Sequence, residues 1–142
     1  MNWSSPETVA GFAASPPNAT LMQFAGRERR GRDHVRVLDI GCGAARNAAP
    51  LALSGWDVVG TDNSLPMLAA AARRRDAHAL TGRLHLAQAS MTHLPVRDHA
   101  ADLIIAHGIW NLARSGDEFR SAGIRACAAS SIGTARSVPT TS

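Results

Sequence analysis

The chain has 142 residues, 45% of them hydrophobic, 18% charged and 4% aromatic, a balance that suits one globular domain and excludes fibrous, low-complexity and intrinsically disordered classes. A domain of roughly 150 residues buries about 70% of the surface its unfolded chain exposes, so a real core is expected while two domains or a large α/β enzyme are not. The net charge is +4, all 15 cations being Arg, and the two densest basic clusters, 27–32 and 73–75, lack interleaved aromatics, which argues against a nucleic-acid partner.

Residues 1–33 read as two short helices ahead of the main fold. Ser4-Ser5-Pro6-Glu7 combines hydroxyl caps with Pro and an acid in a first turn, all features of a helix start. The Ser15-Pro16-Pro17-Asn18 break stops that helix, and Asn18 caps a second one with Leu21, Met22, Phe24 and Ala25 on one face. The basic cluster 27–32, with Gly26 and Gly31, ends it where cations favour the helix dipole.

From residue 34 the pattern alternates. Val35-Arg36-Val37-Leu38-Asp39 is a β-branched run ending in the turn Gly41-Cys42-Gly43, followed by an Ala-rich helical stretch over 44–54. Pro50 requires either that this helix begins at Asn47, with Pro50 in its first turn, or that it is kinked. Gly55-Trp56 turns the chain into a second strand over 57–61, Ser64 caps a third helical stretch containing Leu65, Met67, Leu68 and Ala72, and 84–87 and 103–106 are further strands. Strand, helix, strand, helix, strand predicts an open parallel sheet with helices on both faces. A last helix is expected over 117–129, and the Ser/Thr/Ala-rich stretch 130–142 reads as disordered. The resulting division is 1–33 helical, 34–129 the main domain and 130–142 a tail.

The chemistry concentrates at the first strand. Glycines at 41 and 43 permit positive φ and close approach of a ligand, and a helix start behind them is expected to offer free N–H groups. Asp39 stands at the end of that strand and Asp62 at the end of the next, and open parallel sheets bind ligands outside these carboxyl ends. An acid after the second strand suits a ribose diol. Nicotinamide cofactors also use one, so a NAD-binding domain is an alternative. Their fingerprint, however, wants a small residue where Arg46 stands, and a pyrophosphate sits badly beside the Asp39 carboxylate. A cationic, amino-bearing ligand fits that acid better.

Residues 37–47 with Asp62-Asn63-Ser64-Leu65-Pro66-Met67-Leu68, Gln88-Ala89-Ser90-Met91-Thr92-His93-Leu94-Pro95 and Ala101-Asp102-Leu103-Ile104-Ile105 resemble the class I S-adenosylmethionine-dependent methyltransferases, over about residues 35–112. The resemblance implies a Rossmann-like sheet of order 3-2-1-4 and S-adenosyl-L-methionine as cofactor. It places Asp39, Gly41 and Gly43 around the methionine part, Asp62 at the ribose, and Ser90 and Met91 at the adenine, with Cys42 and Asn63 also among the cofactor-binding residues. The family usually carries an acid where this chain has Ser90 and a Gly where it has Ala45, the latter a mild change. His107, Gly108, Ile109, Trp110 and Asn111 would face the cofactor and a small-molecule methyl acceptor, with His107 the candidate general base. Methyl transfer is an in-line displacement that gains much of its rate from positioning.

The family's Pro-Gly-Gly turn, fifth strand and closing hairpin have no counterpart after residue 129. A C-terminally incomplete reading frame is therefore expected, with two consequences: a remnant that binds cofactor without turnover is the alternative function, and the apolar 103–106 edge invites self-association. Cys42 and Cys127 imply no disulfide framework and the six histidines show no zinc-type spacing, so no metal is assigned. The start carries no basic-then-apolar leader and no segment approaches the roughly 20 apolar residues that span a bilayer. The expected location is the cytoplasm, with no membrane partner.

Overall fold

The computed structural model describes residues 2–106, together with 117, 120, 121 and 123–125. Its elements run α1 (Pro6–Ala14), α2 (Ala19–Arg29), β1 (Arg36–Ile40), α3 (Ala48–Leu53), β2 (Asp57–Asp62), α4 (Leu65–Ala77), β3 (Leu84–Gln88) and β4 (Leu103–Ile105). Residues 117, 120, 121 and 123–125 are helical. The rest of the helix expected over 117–129, and the stretch 130–142, lie outside the described residues.

Local chemistry accounts for the helix starts. Ser5 accepts from the Thr8 N–H with Pro6 in the first turn of α1, Asn18 accepts from the Leu21 N–H at 2.9 Å, and Ser64 accepts from the Met67 N–H. Each cap satisfies an N–H that the helix itself leaves orphaned. The third helix differs from its expectation. Residues 43–47 are a turn and only 48–53 are helical, because Ala45 sits at φ +65°, which no right-handed helix admits. Pro50 falls in the first turn of α3, where its missing N–H costs nothing. Asn47 makes no side-chain cap; its Oδ1 instead accepts from the Asn18 N–H at 2.8 Å, tying α2 to α3.

The four strands form one parallel sheet of order β3-β2-β1-β4, the Rossmann-like arrangement. Val37 pairs with Val58 and Leu103, and Val58 with Leu84. Because side chains alternate across a strand, these residues share one face, where they pack with Leu21 and Ala25 of α2, Ala48 to Ala52 of α3 and Ala71 of α4 into the main core. Helix α2 thus packs into the same core as the sheet, while Val9 of α1 packs in a second cluster with Ala44, Met67 and Ala70. The opposite face carries Leu38, Ile40 and Ile104, covered by Leu94 and Ala101 with Met91 and Val96 of the loop between β3 and β4. The side chains of β4 are buried on both faces, while β4 stands last in the strand order. Among the described residues no helix is long and apolar enough to cross a membrane.

Candidate functional site

Four segments meet at the carboxyl edge of the sheet: the turn after β1, the end of β2, the start of α4 and the loop after β3. Asp39 pairs in register with Gly60, and Asp62 lies two residues further along β2, so both aspartates project to the same side. Asp39 is only 4% exposed. Burial, reinforced by the Asp62 charge and only partly offset by Arg46, pushes its carboxyl up to about 7. Burial disfavours the charged form, and a like charge nearby adds to it.

Asp62 organises the turn. One of its oxygens accepts from the Gly43 N–H at 2.9 Å and the other from the Ser64 N–H at 2.8 Å, so a single carboxylate fastens the glycine turn to the start of α4. Each oxygen keeps a lone pair for a further donor. Ser64 in turn shares a hydrogen bond with Ser4 at 2.8 Å, which brings the start of α1 to the same corner.

The amides of the glycine turn itself are engaged. Gly41 N and Cys42 N both donate to the Thr61 carbonyl, at 2.8 and 2.9 Å, and Gly43 N is held by Asp62. Gly41 and Gly43 adopt φ of +73° and +56°, which supplies the tight reversal. Ala45 shares the left-handed region, so the replacement of Gly there is a strained position and not a mild change; such a conformation costs an alanine about 1 to 2 kcal/mol. Cys42 is buried, and burial together with the two aspartates raises its thiol well above the ordinary range, leaving it a neutral packing group. Its Sγ would lie 2.9 Å from a Cβ at Gly60, which explains the glycine in mid-strand, a requirement that sequence reading missed.

The loop after β3 completes the edge. Gln88 Nε2 donates to the Asn63 carbonyl at 3.1 Å, Asn63 being exposed. Ser90 Oγ lies 2.9 Å from Thr92 Oγ1 and accepts from the Thr92 N–H at 3.3 Å. Met91 is half-buried against the Leu38 and Ile40 cluster. Asp39, Gly41, Cys42, Gly43, Asp62, Asn63, Ser90 and Met91 therefore all belong to segments that meet at this edge. His107 and its neighbours 108–111 lie outside the described residues. Among the described residues no group of three or more His, Cys, Asp or Glu comes together in a way that could hold a metal ion. A cleft of about 420 Å³ lined by Arg36, Asp57, Gly82 and His85 opens at the amino ends of the strands, away from both aspartates.

A family model described as a methyltransferase domain matches residues 37–128. No curated protein matches the sequence at a significant level. Among solved structures, one described as the conversion of a disulfide bond into a thioacetal group during echinomycin biosynthesis shares 26% identity and a TM-score of 0.67, over 83% of this chain and 46% of its own. The phosphoethanolamine N-methyltransferase 2 of Haemonchus contortus, solved in complex with S-adenosyl-L-methionine, shares 21% identity and a TM-score of 0.70 over 92% of this chain and 31% of its own. A SAM-dependent methyltransferase of Methanosarcina mazei shares 15% identity and a TM-score of 0.67, over 82% and 54% respectively. The chain thus spans between about a third and a half of the length of these structures.

Proposed function

The chain belongs to the methyltransferase domain family, and from that premise we propose that the carboxyl edge of its sheet holds S-adenosylmethionine for methyl transfer to a small-molecule acceptor. The observation that carries the reading is the Asp39 carboxyl, buried beside a second carboxylate and without a hydrogen-bond donor among the described residues. A group so placed is satisfied by a ligand bearing positive charge and N–H donors. The methionyl ammonium and the sulfonium meet both conditions.

The spent amides of residues 41–43 support the same choice. A pyrophosphate needs free N–H groups and tolerates no carboxylate at its cradle; this turn offers the reverse, which weighs against the nicotinamide reading. Asp62, with a lone pair left on each oxygen, would accept from the ribose hydroxyls while continuing to hold the turn. Ser90 and Met91 would border the base, with Gly41, Cys42, Gly43 and Asn63 shaping the walls and 34–129 forming the cofactor-binding unit. When bound, the cofactor supplies an electrophilic methyl group. The chain's contribution is to fix the orientation of that group against the acceptor and to neutralise the cation with Asp39. His107 is the proposed base for an acceptor that must lose a proton.

Protection against thermal unfolding tests the ligand class: S-adenosylmethionine should raise the midpoint and NADH should not. Protection by NADH alone would contradict the reading. Formation of S-adenosylhomocysteine with a panel of small amines, thiols and phenols then separates an enzyme from a module that binds without turnover.

A further inference from the structure

Ser90 does not stand alone in its loop. Its Oγ lies 2.9 Å from Thr92 Oγ1, and Thr92 Oγ1 lies 2.8 Å from Nδ1 of His93. The three groups form a chain in which every hydroxyl proton must point one way or the other. We infer that His93, acting through Thr92, sets whether Ser90 offers a lone pair or a proton to the base of the bound nucleoside. The inference rests on the cofactor reading of Ser90 given above.

Counting donors and lone pairs carries the argument. Ser90 Oγ has one proton and two lone pairs, and one lone pair already accepts the Thr92 N–H. When Nδ1 of His93 is unprotonated, the Thr92 hydroxyl donates to it and the Ser90 hydroxyl donates to Thr92. Ser90 then keeps one lone pair, which suits the exocyclic amine of adenine. When Nδ1 carries a proton it donates to Thr92, whose hydroxyl turns to Ser90 and fills the second lone pair. Ser90 is left with only its proton to offer, which an amine rejects and a carbonyl accepts. A neutral hydroxyl is thereby made to act as an acceptor, in the place where the family usually has an acid.

His93 is exposed, and among the described residues no carboxylate pairs with it. Further along the same loop, Asp98 pairs with Arg125 at 2.7 Å, Arg125 also donates to the Val96 carbonyl, and Arg97 is exposed. His93 is thus a positioning residue for the base, one step removed from contact.

Two non-reactive probes that share everything but the N1–C6 edge of the purine read the direction of the chain: S-adenosylhomocysteine, with an amine at position 6 and a bare N1, and S-inosylhomocysteine, with a carbonyl at position 6 and an N1–H. Their affinities are measured by calorimetry between about pH 8 and pH 5.5. Asp39 and Asp62 would face the parts that the probes share, so any effect at them cancels in the ratio. The preference for the adenine form should fall by about three- to ten-fold on acidification, the worth of one hydrogen bond. His93→Phe and Thr92→Val should abolish that pH response, and Thr92→Ser, which restores the hydroxyl, should keep it. All three changes lie in an exposed or half-exposed loop, so folding is not at stake. A ratio that stays constant with pH in the wild-type chain, or a response that survives Thr92→Val, overturns the inference while leaving the cofactor site in place. Binding of neither probe at any pH refutes the cofactor reading itself.

Discussion

Two aspartates at opposite ends of the same sheet have opposite electrostatic fates. Asp102, just before β4 at the amino edge, accepts from the Arg36 N–H at 2.8 Å and faces the guanidinium groups of Arg32 and Arg36 at 3.2 and 3.4 Å. Partial burial works to raise its carboxyl, but the Arg36 hydrogen bonds and the two cations outweigh it and the net shift is downward. Asp39, at the carboxyl edge, has Asp62 as its neighbour and burial as its main influence, and its carboxyl is pushed up to about 7. The chain completes one carboxylate and leaves the other incomplete. An incomplete buried group is where a ligand has something to add, so the difference distinguishes the edge that clasps strands from the edge proposed to bind.

The strongest way to break this comparison is to neutralise Asp39. A carboxyl whose folded value lies above its unfolded one contributes stability that is present below about pH 4 and lost as the pH rises through about 7. Asp39→Asn should therefore stabilise the chain at pH 8 by about 2 to 4 kcal/mol, the gain vanishing near pH 4 in urea unfolding. The same variant should lose affinity for S-adenosylmethionine. A variant no more stable than wild type at pH 8 would mean that Asp39 is already satisfied.

Asp62→Ala comes next, with an expected loss of about 1 to 3 kcal/mol in cofactor affinity, the usual cost of unpairing buried polar partners. The Gly43 and Ser64 amides lose their acceptor as well, so a drop in stability should accompany it. Unchanged binding would show the ribose assignment wrong. At the other edge, Asp102→Ala should cost about 1 kcal/mol of stability at neutral pH through the lost Arg36 N–H bond. The sign is the reverse of that at Asp39: a lowered carboxyl stabilises above the unfolded carboxylate range and loses its contribution as the pH falls below it, so the deficit should narrow in acid. Cofactor affinity should not change, because Asp102 lies at the far edge. An effect of the same size and opposite sign belongs to Thr61, whose hydroxyl is buried without a partner. Thr61→Val should stabilise by roughly 1 kcal/mol by removing an unsatisfied group, measured by the same unfolding curves.

What could be read without coordinates follows the range of the interactions. The caps at Ser5, Asn18 and Ser64 act over two or three residues, so local spelling reveals them. The parallel arrangement follows from alternating strand and helix patterns, the strand order from the family resemblance, and the placing of Asp39 and Asp62 at one edge from both standing at strand ends. The rest depends on distant partners. Asn47 looks like a cap and has the right neighbours for one, but Asn18, 29 residues away, takes its side chain. The glycine turn reads as a place of positive φ and close approach, and its spelling says nothing of the Thr61 carbonyl that takes two of its amides. Gly60 gives no local sign that the Cys42 thiol packs above it. Ala45 is read as an ordinary helix former, and only the backbone shows it in the left-handed region. His107 and the fold beyond 106 call on residues outside those described, apart from the six helical positions between 117 and 125.

The central claim is that Asp39 waits protonated for a cationic ligand, and proton release on binding tests it most directly. Calorimetric titration with S-adenosylmethionine near pH 6.5, repeated in buffers of different ionisation enthalpy, counts the protons exchanged. In a His93→Phe background, which removes any proton that His93 would release, a net release of between half a proton and one proton is expected, on the order of the protonated fraction of a carboxyl near 7, absent when Asp39→Asn is added. Binding with no proton released, or release that persists in the Asn variant, would contradict the account.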